Sequence, residues 1–197
     1  ISCFSLTVIS CALRDHEHDD STANTTIDTT TINFVGGTAS GFVLTSADGT
    51  NWTLRETAAT NPIFDVIYSN SKFVAVGYDG VIRTSSDGTS WDNSTSGTSN
   101  HLYGVTYGNS KFVAAGHDGV IRTSSGWTFW GNSTSGTSTD LYDVTYGNSK
   151  FVAVGDNGTI LTSSDGTSWD NSTSGTSEVL MDVTYGNSTF VTVGGSG

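Results

Sequence analysis

The densest set of metal-ligand side chains in the chain is one run, His16, Glu17, His18, Asp19 and Asp20. In an extended segment alternate residues point to one side, so several of these groups would share a face and suit a divalent ion. The same run, followed by the Thr-rich STANTTIDTTT, also reads as a solvated acidic linker. That second reading is adopted, and no metal is expected. Other chemistry is sparser still. Glycoside hydrolysis by paired carboxylates needs two groups in unlike environments, whereas repetition of the kind described below places carboxylates in like ones. His101 and His117 stand isolated, with no nucleophile at recognisable spacing, and read as surface residues. No glycine-rich loop leads into a helix to cradle phosphate. The chain is expected to be no enzyme and to need no cofactor.

These residues are set in a frame that repeats. Trp52, Trp91, Trp130 and Trp169 are each 39 residues apart, and so are Phe34, Phe73, Phe112, Phe151 and Phe190. A period near forty, rich in β-branched and aromatic residues and punctuated by Gly, is the signature of a β-propeller or related all-β array. Each unit parses into four short antiparallel strands. In residues 141–179 these are LYDVTY, KFVAVG, TILTSS and a fourth that begins at Ser168-Trp169, with the NSTSG stretch taken as an exposed loop. Asp156-Asn157-Gly158, like Tyr78-Asp79-Gly80 and His117-Asp118-Gly119, suits the positive φ values of a primed hairpin turn. The units fall at 24–62, 63–101, 102–140 and 141–179, with a half-unit at 180–197. The expected fold is an all-β propeller of four-stranded antiparallel blades, four to five 39-residue repeats, behind an N-terminal strand segment.

That segment, residues 1–23, is an apolar run followed by the acidic linker. Three readings compete for residues 1–14: the tail of a secretory or lipoprotein signal, a span too short to cross a bilayer, or a strand or hairpin. Phe4, Leu6 and Val8 alternate, then Ile9, Cys11 and Leu13 alternate in the opposite phase, which favours the strand. Cys3 and Cys11 would lie roughly 26 Å apart in a straight strand, too far for a disulfide unless the segment turns back. A formal net charge of −12 with only 7 basic residues excludes a nucleic-acid partner, because phosphate binding needs clustered Lys and Arg.

The turn before each Trp carries a resemblance. Ser46-Ala47-Asp48-Gly49-Thr50-Asn51-Trp52, Ser85-Ser86-Asp87-Gly88-Thr89-Ser90-Trp91 and Ser163-Ser164-Asp165-Gly166-Thr167-Ser168-Trp169 resemble the Asp-box, or BNR, repeat of β-propellers, one residue shorter than the family pattern. The wider unit is similar to secreted repeat proteins of that type and to propeller-shaped photosystem assembly factors. The third unit departs, with Gly126 where the others have Asp. The resemblance implies structural roles for Asp48, Trp52, Asp87, Trp91, Trp130, Asp165 and Trp169, the carboxylates accepting backbone N–H bonds and the indoles packing between sheets. Sialidases carry the box, but their three convergent arginines are not matched: Arg83 and Arg122 occupy one repeat position, leaving Arg14 and Arg55.

Surface chemistry supplies the functional expectation. Asn-x-Ser/Thr sequons stand at Asn24, Asn51, Asn93, Asn132, Asn157, Asn171 and Asn187, and three of them recur with the repeat. They imply a secreted or cell-surface chain carrying covalent glycans. The expected function is a non-catalytic structural or adhesive glycoprotein, a homopolymer subunit joined head-to-tail by exchange of the strand bearing Phe4, Leu6, Val8, Ile9 and Leu13. The alternative is a multivalent lectin-like propeller that binds extracellular carbohydrate. For it the repeated Tyr68, Tyr107, Tyr146 and Tyr185 and Lys72, Lys111 and Lys150 are candidates, read otherwise as strand-face tyrosines and edge-guarding lysines.

Overall fold

The computed structural model describes residues 32–195. The strand-exchange residues Phe4, Leu6, Val8, Ile9 and Leu13, both cysteines, the DHEHDD run and Asn24 lie outside the described residues.

Strands form where β-branched and aromatic residues alternate between Gly- and Asn-rich turns. The first sheet contains β1 (Phe34–Gly37), β2 (Phe42–Ser46) and β3 (Thr53–Glu56). A four-stranded sheet follows, with β4 (Ile63–Ser69), β5 (Lys72–Gly77), β6 (Ile82–Ser85) and β7 (Asp92–Ser94) in sequence order. The next contains β8 (Leu102–Gly108), β9 (Lys111–Gly116), β10 (Ile121–Ser124) and β11 (Gly131–Ser133). Then come β12 (Leu141–Gly147), β13 (Lys150–Gly155), β14 (Ile160–Ser163) and β15 (Asp170–Ser172), and finally the pair β16 (Leu180–Gly186) and β17 (Thr189–Gly194). All pairings within these sheets are antiparallel. The first strands β4, β8, β12 and β16 pack each against the next, so the sheets are stacked around a shared inner side.

Local sequence explains the details. At the end of β13, Asn157 (φ 55°) and Gly158 (φ 66°) both take positive φ, as a I′ turn requires, and the Thr159 N–H donates to the Asp156 carbonyl at 3.0 Å. In the matching turn a Cβ on Gly80 would meet the Thr98 carbonyl at 2.1 Å, so that position tolerates no side chain. The first strands do not alternate strictly. A bulge between Leu141 and Asp143, repeated at Leu102/Gly104 and Ile63/Asp65, turns Leu141 and Val144 both into the core. The sequons Asn93, Asn132 and Asn171 sit in the short fourth strands rather than in the loop expected for them, because Arg83, Arg122 and Leu161 pair with them across the sheet. Their side chains are nonetheless exposed, as are Asn51, Asn157 and Asn187.

The core lies between sheets. Trp130 is packed with Val74, Val76 and Ile82 of the preceding sheet and with Leu102, Val105 and Phe112 of its own. Trp169 does the same with Val113, Ala115, Ile121 and Phe151, and Trp91 packs against Val35, Val43 and Phe73. Lysines expected to guard edges sit instead at the start of the second strand, inside each sheet. They reach across to the next sheet: the Lys111 ammonium donates to the Asp165 carbonyl at 2.9 Å, and Lys72 lies over Trp127. Tyr68, Tyr107, Tyr146 and Tyr185 pack at a tilt against Phe73, Phe112, Phe151 and Phe190, with ring centroids 4.5–4.7 Å apart, as strand-face residues.

Candidate functional site

The Asp residues before each Trp close tight turns. The Asp48 carboxylate accepts the Thr50 and Asn51 N–H groups, each at 2.8 Å. Asp87 accepts those of Thr89 and Ser90, and Asp165 those of Thr167 and Ser168. The indole N–H of Trp52, Trp91 and Trp169 donates to the carbonyl of the turn glycine at 3.1–3.2 Å. Hydrogen bonds favour the charged form, and all three carboxyls are held well below the usual range, first by the Asn51 N–H, the Ser90 N–H and the Thr167 hydroxyl respectively. These carboxylates are fully engaged in holding turns. The third turn is built differently. Trp127 replaces the glycine that takes positive φ elsewhere and does not adopt that conformation, and Gly126 has no carboxylate to offer. Ser124 bonds the carbonyls of Gly126 and Phe129 instead, and the indole N–H of Trp130 is buried without a partner.

Trp52 also differs from its counterparts. It packs on Phe34 at 6.3 Å but is 41% exposed, because among the described residues no sheet precedes its own.

A second assembly stands at the other end of the inner strands. Residues expected to be isolated, His101 and His117, are neighbours here, with ring centroids 5.7 Å apart. The antiparallel pairing of Leu102 with Gly116 places their positions opposite one another, and the His117 N–H donates to the His101 carbonyl at 2.9 Å. His101 also stacks on Tyr78 of the preceding sheet at 3.9 Å, and its Nδ1 accepts the Asp79 N–H at 3.1 Å. One unit further on the arrangement recurs with different chemistry. Asp140 occupies the repeat position of His101, and its Oδ1 accepts the Asp118 N–H at 2.9 Å. His117 lies between two carboxylates, Nδ1 at 3.2 Å from Asp118 and Nε2 at 3.9 Å from Asp140. One ligand atom from each of the three lies within 4.8 Å of the others.

Inside this rim runs a row of rings. Phe64 and Tyr103 are 5.5 Å apart, and Tyr103 and Tyr142 are again 5.5 Å apart. Burial and then the charges of Asp140, Asp156 and Asp118 raise the Tyr103 phenol above its ordinary pKa. Burial, the Asp156 charge and a hydrogen bond to Asp156 push Tyr142 up to about 12. Both phenols therefore stay neutral and keep their protons to donate.

The signal that locates this edge is present in the sequence but needs the repeats read by column. Among residues 63–101, 102–140 and 141–179, only three columns hold a different residue in all three units: Tyr78/His117/Asp156, Asn100/Thr139/Glu178 and His101/Asp140/Val179. These columns meet in space. Tyr78 stacks on His101, His117 touches Asp140, and the Asn100 side-chain amide donates to the His117 carbonyl at 3.2 Å.

No protein-family model matches the chain, and the search of curated proteins returned no match. Solved structures do resemble it. A structure described as YCF48 bound to D1 peptide superposes with a TM-score of 0.58 at 20% identity, over 77% of this chain and 54% of that one. YCF48 from Cyanidioschyzon merolae gives 0.61 at 17% identity, over 81% and 60%. The WD40 β-propeller domain of Doa1 gives 0.65 at 13% identity, over 80% and 56%. The chain thus spans somewhat more than half the length of these structures. At such identities the likeness concerns fold alone: the chain is an all-β, propeller-type repeat protein of antiparallel sheets.

Proposed function

We propose that this is a non-catalytic, extracellular adhesive propeller whose constant frame presents a ligand-binding edge. The observation that carries the reading is the convergence of the three variable columns around the Phe64–Tyr103–Tyr142 row. A packing role alone would select the same residue in each near-identical unit, as it does for the Phe and Trp columns. The turns of Asp48, Asp87 and Asp165 are then structural turns of the Asp-box type, and the exposed sequons carry glycans that suit a secreted or cell-surface chain. The chain is to be presented to a panel of immobilised oligosaccharides and peptides. Saturable binding to some member, abolished by Tyr103→Ala with Tyr142→Ala in a protein that still folds, is expected. No binding to any member would sink the reading.

A second reading, a homopolymer joined head-to-tail, rests on the outer sheet faces. Val191 and Val193 of β17 are 52% and 59% exposed, although their repeat equivalents Val152 and Val154 are buried against Leu180 and Val183. Exposed Trp52 faces outward at the other end, where its equivalents meet valines of a preceding sheet. The two faces are complementary by repetition, so a second copy can supply each with what an internal sheet already has. Electron microscopy of native material should show particles of regular repeat that fall apart when Val191→Asp and Val193→Asp are introduced together. Compact particles of one chain's mass would refute head-to-tail assembly.

A further inference from the structure

We infer that the variable edge takes a cationic ligand, specifically a Lys- or Arg-bearing extended segment of a partner protein; this rests on the binding-edge reading above. The charge distribution is the first ground. Asp79, Asp118, Asp140 and Asp156 gather around the rings, and Glu178 stands in one of the same three columns. Among the described residues no Lys or Arg pairs with them, and the basic groups beside them are the imidazoles of His101 and His117. Lys72, Lys111 and Lys150 begin the second strands, whose far ends lead into the turns of this edge, roughly 17 Å away along the strand. Arg83 and Arg122 each turn one Nη to a carbonyl, of Ala58 and Gly97 respectively, and bury Nε without a partner, and Arg55 bonds Thr45.

The second ground is the aromatic row. Three rings spaced 5.5 Å apart, with Tyr78 and His101 stacked beside them, offer π-faces next to carboxylates. Ammonium and guanidinium groups are attracted to such faces, and more strongly where water is partly excluded. Carboxylates alone would hold any cation loosely. Rings and carboxylates together select an alkylammonium or guanidinium, whose stem covers the ring while its head pairs with Asp. The third ground is shape. An open cleft of about 550 Å³, lined by Asn100, Asp118, Asn132, Thr134 and Ser138 among others, adjoins the edge at Asn100 and Asp118. It has room for the backbone of an extended peptide, and its hydroxyl and amide groups can bond that backbone.

The test uses the full chain and three probes: an octapeptide alternating Lys or Arg with Gly, the same peptide with Glu in place of Lys and Arg, and a set of neutral oligosaccharides. Fluorescence anisotropy is expected to show binding of the basic peptide alone, weakened by raising salt from about 0.05 to about 0.5 M. Asp140→Asn, and separately Tyr103→Ala, should each weaken it about tenfold, while Lys150→Ala at the far end of the strand leaves it unchanged. Tyr103→Phe keeps the ring and should retain most of the binding, which separates loss of the π-face from loss of the fold. Oligosaccharide binding without peptide binding would overturn the cationic assignment and leave the binding edge standing. Failure of every probe would count against both. Peptide binding untouched by Asp140→Asn and Tyr103→Ala would mean bulk attraction to a chain of net charge −12, and would equally overturn the assignment.

Discussion

Trp130→Ala is expected to lower the unfolding free energy by about 3–5 kcal/mol, and Trp52→Ala by under about 1 kcal/mol, although the two occupy the same repeat position. Trp130 is 1% exposed and lies between valines of one sheet and Leu102, Val105 and Phe112 of its own. Its removal forfeits the transfer free energy of a large ring and leaves a cavity that two rigid sheets cannot close. Trp52 is 41% exposed and has a sheet on one side only among the described residues, so less apolar area is lost and solvent fills the space. The unpartnered Trp130 indole N–H offsets part of the loss, since deleting a buried donor without an acceptor removes a penalty of about 1–3 kcal/mol. Trp169 supplies the calibration: it is nearly as buried, but its N–H reaches the Gly166 carbonyl at 3.2 Å. Trp169→Ala should therefore cost at least as much as Trp130→Ala. Urea titrations of the three variants check the ranking, and equal values for Trp52 and Trp130 would mean that burial between sheets does not set the contribution of this column.

The fold was legible because its determinants are local. The 39-residue period, the Asp-Gly and Asn-Gly turns and the alternating apolar strands each act within a few residues, and they agree with one another. Bulges were not legible: nothing in LYDVTY signals that Leu141 and Val144 would share a side, because the bulge is imposed by packing around the inner strands. The fourth strands are expected from Ser168-Trp169 onward, but their Asn-Ser ends read as loop for a similar reason, since NST has weak strand propensity and pairs only because β6, β10 and β14 offer an edge. The binding edge was half-legible. The pairing of His101 with His117 follows from hairpin register, whereas Tyr103 with Tyr142 depends on how one sheet stacks on the next, which no local pattern encodes.

A further group visible only in three dimensions governs the pH dependence. Asp143 is half-buried on the inner strand β12, where its carboxyl accepts the Val183 N–H at 2.8 Å, as buried Asp65 accepts that of Val105. Between them the equivalent position is Gly104, and a Cβ there would stand 2.8 Å from the Asp143 carboxyl. Burial, then a hydrogen bond that the protonated Asp143 carboxyl donates to the Asp182 side chain, then the Asp65 charge raise Asp143 to about 8, against the opposing Val183 and Val144 N–H bonds. The folded chain thus holds a proton that the unfolded chain releases above pH 3.8. Stability should be highest in mild acid and fall as pH rises toward about 8, by at most about 1.4 kcal/mol per pH unit. Asp48, Asp87 and Asp165 act in the opposite sense: their depressed pKa values support the fold above the ordinary carboxylate range and withdraw that support below it. A maximum near pH 4 to 5, at roughly the crossing of the two trends, is the expected result of melting curves across pH. Asp143→Asn keeps an oxygen for the Val183 N–H and offers Asp182 a permanent donor, so it should flatten the neutral-to-alkaline decline and raise Tm at pH 8 while changing little at pH 4. An unchanged slope in that variant would assign the pH dependence to the other carboxylates near the inner strands rather than to Asp143.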